Sequence, residues 1–405
     1  MAGAGRDSQR HRPLVGDRNE QAGQRREVDF SVAAVLPASG CGERMGSTTP
    51  KQFCPLLQRP LISLTLEAFE RVHWITEVVV VVSQQNFELM NSVIDRYSHS
   101  RATVVVGGLT RHQSIFNGLK ALVENRPHQS WLEKPEVVII HDAVRPFVEE
   151  DILYRVASAA NKHGAAGAIR PLISTVVATN PEGYLDHSLE RSKYRASEMP
   201  QAFTFDVIYR AYEQCTDYDL EHGTECLHLA LQYCGISAKL IDGPPDLWKV
   251  TYKRDLYAAE SIIKESLSKS VCIIAGMQEG QIQLGILLQE DLQLVMKVDL
   301  LKWSLSKESS CVQAITSKQH YNFIYINVHL NNMEASSFSV WMDDFTHIKQ
   351  LAKEASRKNI LIYSLLINST QSTDKIHESV KQGASIIESL IKQRSPALIG
   401  QLLVV

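Results

Sequence analysis

Long apolar runs, paired cysteines and an excess of either charge are all missing from this 405-residue chain. The longest apolar run, Val78 to Val82, is far too short to cross a bilayer, and nothing apolar near Met1 resembles a signal peptide. These absences predict a cytoplasmic protein with no membrane partner. The seven cysteines stand apart at positions 41, 54, 215, 226, 234, 272 and 311, with no C-x-x-C among them. An odd, scattered set favours buried thiols in a reducing compartment over a disulfide framework or a zinc site. A net charge of −3 gives no positive field for nucleic acid, although a few local cations suffice to hold a triphosphate.

What is present is ordinary for a soluble globular protein: 44% hydrophobic and 21% charged residues, in a chain long enough for about two or three domains. Residues 1–28 differ from the rest. They carry Arg6, Arg10, Arg12, Arg18, Arg25 and Arg26 with almost no large apolar side chain. Such a segment cannot bury enough surface to offset its ordering entropy, so a disordered arm is expected. A transit peptide is the rival reading. Asp7, Asp17, Glu20, the scarcity of serine and the missing apolar face argue against it.

From residue 29 the pattern becomes regular. Buried-strand signals at Val32–Leu36, Glu77–Val82, Thr103–Val106 and Val137–Ile140 alternate with helical stretches at Leu61–Val72, Phe87–Tyr97 and Ser114–Glu124. This β-α-β-α order predicts an α/β, Rossmann-like domain with a mostly parallel sheet and helices on both faces. Near Ser268 the pattern restarts. Strands are expected at Val271–Ile274, Phe323–Val328 and Ile360–Leu366, and helices at Phe345–Arg357 and Ile376–Ile391. Residues 269–405 therefore read as a second, smaller α/β domain. It has no G-x-G-x-x-G, no Walker loop and no metal-ligand cluster, and the chain shows no internal repeat. Glu279, Asp343 and Asp344 are its first acidic candidates should it hold a site.

In parallel sheets, ligands sit beyond the carboxyl ends of the strands. Three strand-end loops in the first domain are rich in polar, glycine or charged residues. Leu36-Pro-Ala-Ser-Gly-Cys-Gly-Glu-Arg-Met-Gly46, followed by Pro50-Lys51-Gln52, combines small residues that let backbone N–H groups approach phosphate with the cations Arg44 and Lys51. Such cations lower the barrier to a transfer that builds negative charge at phosphorus. Gly107-Gly-Leu-Thr-Arg-His-Gln-Ser114 permits close contact with a flat base, with Ser114 near the base edge, or is simply a strand-to-helix turn. Ile140-His-Asp-Ala-Val-Arg-Pro146 puts Asp142 at the end of a buried strand, as a Mg²⁺ ligand or as an ion pair with Arg145. Lys249, in Asp246-Leu-Trp-Lys-Val-Thr251, stands before a helix expected from about Lys253, and by itself reads as a surface lysine.

Together these residues resemble the cytidylyltransferase family that makes CDP-methylerythritol in isoprenoid synthesis and CDP-ribitol in bacterial wall polymers. The family pattern P-A-A-G-x-G-x-R-M…P-K-Q stands here as Pro37 to Met45 and Pro50 to Gln52. G-G-x-x-R-x-x-S stands as Gly107 to Ser114, H-D-A-x-R-P as His141 to Pro146, and K-V-T as Lys249 to Thr251. The four blocks keep family order over residues 31 to about 265. The resemblance implies that Arg44 and Lys51 hold the triphosphate and stabilise the transition state, and that Lys249 touches the α-phosphate. It implies nucleotide contacts from Ala38, Ser39, Gly40, Gly42, Gly108, Arg111 and Ser114, with Asp142 binding Mg²⁺ or another divalent cation. Arg145 and Thr175 would approach a polyol phosphate. Counting back from Met199-Pro-Gln-Ala-Phe203 lands on Arg191 as a further substrate arginine, with Lys193 and Arg195 close by. In the family this arm, roughly residues 170–202, reaches into a partner subunit, which implies a homodimer.

Ser39, Glu43 and Thr224-Glu225 depart from the family pattern without removing a group the chemistry needs. The extra C-terminal domain looks like that of animal D-ribitol-5-phosphate cytidylyltransferases, which implies CTP and D-ribitol 5-phosphate as substrates and a supply of ribitol phosphate for protein O-mannosyl glycosylation. Methylerythritol 4-phosphate with the same machinery is the rival substrate. A catalytically silent binding protein of the same fold is the rival class, and the presence of Arg44, Lys51, Asp142 and Lys249 speaks against it.

Overall fold

The computed structural model describes residues 26–40, 42, 45–46, 49–124, 134–223, 225–267, 269–277, 279–303, 324–331, 346, 349–350, 352–353, 355–356, 361–368 and 373–404. Residues 1–25, where most of the expected disordered arm falls, lie outside them, as do Arg44, Asp343 and Asp344.

The chain begins with strand β1 (Val32–Pro37) and a small hairpin, β2 (Pro55–Leu56) and β3 (Arg59–Pro60). It then alternates through α1 (Leu61–Glu70), β4 (Ile75–Val82), α2 (Phe87–Tyr97), β5 (Ala102–Val106), α3 (Arg111–Glu124), β6 (Val137–Ile140), α4 (Glu150–His163) and β7 (Ala165–Pro171). An exposed hairpin follows, β8 (Val177–Thr179) and β9 (Leu185–Ser188), and leads into β10 (Arg195–Thr204). Helices α5 (Phe205–Gln214), α6 (Asp217–His222) and α7 (Cys226–Cys234), strand β11 (Lys239–Asp242) and α8 (Lys253–Leu267) complete the unit.

Seven strands form one sheet in the order β11-β7-β10-β6-β1-β4-β5. All neighbours pair parallel except β10, which runs antiparallel between β6 and β7. Because successive strand side chains point to opposite faces, a strand covered on both sides must be apolar throughout. The valines of β4 follow this rule: Val78, Val80 and Val82 join the core on one face, Val79 and Val81 the core on the other. β1 splits likewise, Val32, Ala34 and Leu36 against Ala33 and Val35. The result is a three-layer α/β/α unit, as the alternation predicts.

The later residues build a second, all-parallel sheet. Its elements are β12 (Ser270–Gly276), α9 (Glu279–Leu292), β13 (Lys297–Trp303), β14 (Ile324–Asn331), β15 (Leu361–Asn368), α10 (Thr373–Gln393) and β16 (Leu402–Val404), with strand order β13-β12-β14-β15-β16. Val380, Ala384, Ile387 and Ile391 recur at helical spacing along α10 and pack on Val271, Ile273, Leu365 and Ile367 of the sheet. The helix expected at 345–357 is helical at each of its described residues. Helix α9 and strands β13 and β16 were not anticipated. Gly280 and Gly285 interrupt the apolar pattern of α9, whose buried face is only Leu284, Gly285, Leu288 and Leu292. Among the described residues no helix is long and apolar enough to cross a membrane.

Candidate active site

The carboxyl ends of β1, β4, β5 and β6 converge on one edge of the first sheet. The loop after β1 is pinned there by Ala38 N–H donating to Val81 O at 2.7 Å. Gln52, 1% exposed, reinforces it by donating from Nε2 to Ala38 O at 2.6 Å and Gly40 O at 3.1 Å. The loop after β5 is tied by Gly107 N–H to Val82 O at 2.7 Å, and the loop after β6 by His141 N–H to Val35 O at 3.1 Å. Lys249 arrives from before α8, where Val250 N–H donates to Val144 O at 3.1 Å and joins its loop to that of Asp142.

These loops enclose a cleft of about 160 Å³. Lys51, Arg111, Asp142 and Lys249 supply its charge, while Ala38, Ser39, Gly40 and Ser114 line it with small groups. Three loops far apart in sequence thus share one edge, as the strand-end rule predicts. A larger cleft elsewhere shares none of these residues. Chemistry is assigned to the smaller one because it gathers the strand ends and the buried carboxylate.

Asp142 is the electrostatic centre. Its carboxylate accepts from Arg111 Nη2 at 3.2 Å and Arg145 Nε at 3.0 Å, and lies 3.1 Å from Lys249 Nζ. Burial alone would raise its pKa, but Lys249, Arg111 and Arg145 outweigh burial and hold it well below the usual carboxylate range. It is therefore ionised and serves as an anchor that aims cations. A carboxylate offers roughly four lone-pair sites, and these three donors leave one for a metal. Among the described residues no cluster of three or more His, Cys, Asp or Glu could hold an ion unaided. The donor set fits a divalent cation whose remaining ligands come with a polyphosphate, the usual arrangement for Mg²⁺.

His141 is fully buried behind Asp142. Its Nε2 donates to Arg145 O at 3.0 Å, and burial pushes its pKa down to about 4. It is a neutral strut for the turn, not a base at the cleft.

The remaining sequence-derived candidates divide. Gly42 and Gly108 are not among the residues that line the cleft: Gly42 abuts Lys51 and Gly108 abuts Gln113. Gly42 has φ of +77°, and a Cβ there would stand 2.9 Å from Lys51 N, so glycine is required for Lys51 to sit where it does. Arg145 turns inward. Besides Asp142, its guanidinium donates to Glu198 and to Leu247 O, so it organises the site from behind. Thr175 and Arg191 are exposed on the β8–β9 arm, away from this cleft, with Arg191 Nη1 donating to Ile173 O at 2.9 Å. Arg44 lies outside the described residues.

Several contributors were not singled out by sequence reasoning. Gln52 sits in the quoted Pro-Lys-Gln block, yet its role as loop clamp emerges only in three dimensions. Glu198 and Cys226 carry no local signal. Cys226 is buried, with its Sγ 3.6 Å from Arg111 Nη1 and 3.5 Å from the Tyr212 hydroxyl, which lies 2.7 Å from His112 Nδ1. This buried row fixes the back of Arg111. Gly107, read in the sequence as permitting close approach of a base, has a packing role as well, since any Cβ there would collide with the hydroxyls of Ser39 and Ser114.

The comparisons with known proteins bear on the family of the chain. Residues 32–265 match the profile described as 2-C-methyl-D-erythritol 4-phosphate cytidylyltransferase. Residues 269–328 and 325–384 match that of the D-ribitol-5-phosphate cytidylyltransferase C-terminal domain. A Xenopus tropicalis protein named D-ribitol-5-phosphate cytidylyltransferase is 54% identical over 403 residues, covering 92% of this chain and 97% of its own length. A human protein of the same name is 53% identical, with 92% and 90% covered. A 2-C-methyl-D-erythritol 4-phosphate cytidylyltransferase from Syntrophus aciditrophicus is 34% identical over 236 residues, 58% of this chain and 96% of that one.

Proposed function

The chain belongs to the D-ribitol-5-phosphate cytidylyltransferase family, and from that membership we propose that it transfers the cytidylyl group of CTP to D-ribitol 5-phosphate, giving CDP-ribitol and pyrophosphate. The observation that carries the reading is the meeting of Lys51, Arg111 and Lys249 around the ionised Asp142 in one strand-end cleft.

A phosphate oxygen of the polyol phosphate attacks the α-phosphorus of CTP in line. The new P–O bond forms as the bond to the bridging oxygen breaks, and pyrophosphate leaves with that electron pair. The attacking phosphate is already an anion near neutral pH, so no general base is needed, which suits a site whose nearest histidine is buried and neutral. Lys51 and Lys249 offset the charge that builds around phosphorus. Arg111 and Arg145 hold Asp142 in place, and Asp142 in turn aims Lys249. A bound Mg²⁺, with Asp142 as its protein ligand, would supply further charge neutralisation on the phosphates. Ser39 and Ser114 form the wall against which cytosine would lie, and Arg44 would extend the cationic set.

The arm carrying Thr175 and Arg191 exposes Ile173, Val177, Tyr184, Leu185 and Tyr194. That much apolar surface on a thin hairpin suits burial in a second copy of the chain, so the protein would act as a homodimer with Thr175 and Arg191 completing the partner's site. Residues 269–405 would contribute stability or binding and no part of the transfer. Residues 29–268 expressed alone should then transfer cytidylyl groups, compared per folded molecule, and an inactive, well-folded fragment would refute that assignment.

The deciding experiment supplies CTP and Mg²⁺ with D-ribitol 5-phosphate, with 2-C-methyl-D-erythritol 4-phosphate, or with no acceptor, and measures pyrophosphate release. Release with ribitol phosphate, and a product of the mass of CDP-ribitol, is expected. Preference for methylerythritol phosphate would overturn the substrate, and no release with either would leave a binding protein.

A further inference from the structure

A cleft of about 770 Å³ opens where the β2–β3 hairpin and α8 face the end of α10 and the helical residues near position 350. It has no lining residue in common with the cleft that holds Asp142. Its volume falls in the range of small-molecule sites, about 300–1,000 Å³. The charge on its walls is lopsided. Lys264, Lys349, Lys353 and Arg394 line it against the single carboxylate of Glu260, which lies 2.6 Å from Lys264 Nζ. Lys349 and Lys353 are one helical turn apart and share a face. Arg394 is 7% exposed and stands just past the C-terminus of α10, where the helix dipole favours a cation. Cations gathered on a concave wall repel one another, and the wall focuses their field into the cleft. A multiply charged anion would relieve both effects.

The backbone supplies a second, independent observation. Among the described residues four other than glycine have left-handed φ: Leu57 at 50°, Gln58 at 64°, Ser98 at 56° and Arg394 at 48°. Three of the four, Leu57, Gln58 and Arg394, line this cleft. The β2–β3 turn needs two left-handed residues, for which Asn-Gly is the unstrained choice. Leu57 and Gln58 cost about 1 kcal/mol or more each in that conformation. Backbone strain of this kind concentrates at ligand sites, where the bound state compensates for it.

We propose that this cleft binds a small organic phosphate, a nucleotide or a sugar phosphate, through Lys349, Lys353 and Arg394, at a site separate from the transfer reaction. Its position gives it a route to that reaction. Leu56, the buried residue of the hairpin, packs in one apolar cluster with Val144, Val250 and Ala259. Val144 follows Asp142 by two residues, Val250 follows Lys249, and Ala259 precedes Glu260 of the cleft. A ligand that draws the cleft walls together therefore presses on the loops holding both catalytic charges. Binding in this cleft goes beyond the transfer reading, while its route to turnover and the Lys51-dependent class of site in the test rest on that reading.

The test is calorimetric titration of the full-length protein with inorganic pyrophosphate, in wild type, in Lys51→Ala and in the double variant Lys349→Gln/Lys353→Gln. Both lysines of the pair are exposed, and a thermal melt of each variant confirms that it is folded. Wild type should show two classes of site per chain. Lys51→Ala should weaken one, and the lysine pair should weaken the other by about tenfold or more while leaving the first alone. One class per chain, abolished by Lys51→Ala and indifferent to the lysine pair, would overturn the proposal. Competition in the Lys51→Ala background separates the ligand sources. Displacement by CTP identifies a nucleotide, and displacement by D-ribitol 5-phosphate a sugar phosphate. Displacement by neither refutes an organic phosphate ligand.

Discussion

The hydroxyl of Ser114 lies 3.2 Å from that of Ser39, and Ser39 in turn donates to Val81 O at 3.2 Å. Two loops from different strands are thereby joined at the point where a base would rest. The pair exists because Gly107 beside it has no side chain, and because this chain carries serine where the family pattern has alanine.

Ser39→Ala removes one link of that bridge while Ser114 keeps its bond to Thr110 O at 2.8 Å. One neutral hydrogen bond contributes about 1 kcal/mol, so KM for CTP should rise by about fivefold with kcat nearly unchanged. Steady-state kinetics at saturating polyol phosphate decides this. An unchanged KM would show that the Ser39 hydroxyl has no part in seating the nucleotide.

Asp142→Asn should damage the fold as well as the reaction. It removes the carboxylate that Arg111, Arg145 and Lys249 share, leaving Arg145 its contact with Glu198. Breaking a buried charge cluster in this way costs about 3–5 kcal/mol. Lys249→Met removes a partly exposed member and should leave stability within about 1 kcal/mol, while turnover falls by about a hundredfold or more. Urea melts and turnover on both variants are the measurement. Equal stability losses would contradict Asp142 as the centre of the cluster.

Gly42→Ala and Gly46→Ala form a matched pair. Both glycines have positive φ, +77° and +62°, and both substitutions should introduce about 1–2 kcal/mol of strain. Of the two, Gly42 is where the new Cβ meets the Lys51 backbone, since among the described residues nothing lies within 4 Å at Gly46. Turnover should drop sharply for Gly42→Ala and little for Gly46→Ala. Similar turnover in the two would mean that the placement of Lys51 does not depend on Gly42.

Stability should decline in mild acid, in part through His112. Burial, assisted by the neighbouring Arg111, pushes its pKa from 6.5 down to about 4. Between these values the unfolded chain takes up a proton that the folded chain refuses. The stabilisation is thus complete above about pH 6.5 and is lost as pH falls toward about 4. At about pH 5 the loss amounts to roughly 2 kcal/mol. His112→Gln should flatten the dependence of denaturation midpoint on pH in that window, and an unaltered slope would rule His112 out as the titrating group.

Subunit mixing tests the arm. Lys51→Ala and Arg191→Ala chains, each inactive alone, should regain activity when combined, because one site of the mixed dimer draws both residues from intact copies. Silence in verified heterodimers would make the site self-contained or the arginine a different one.

The parts that local chemistry writes were readable in the residue order. Val78–Val82 read as a strand covered on both faces, the glycines and cations after β1 as a loop facing phosphate, the glycines after β5 as a loop facing a base or a plain turn, and Asp142 after β6 as a metal ligand or an ion-pair partner. Strand β10 was not readable. Pro200 sits within it, and a proline normally argues against an interior strand. The structure accommodates it by a register shift between Ser197 and Gln201 in the pairing with β7. The duty of Arg145 was hidden for a different reason. Its partners Glu198 and Leu247 lie 53 and 102 residues away, and nothing within the His141–Pro146 loop indicates which way its side chain turns.

Strand β10 also sets a mechanical condition. Its last residues, Gln201 to Thr204, are stitched to β6, the strand that ends beside Asp142, while its first residues are the root of the exposed arm. Glu198, between the two, grips Arg145. The strand works as a tie-rod, so tension on the arm arrives at the carboxylate without passing through a loop. If a second copy seizes the arm, the ion cluster would stiffen in the same event, and specific activity would climb with protein concentration until every chain is paired.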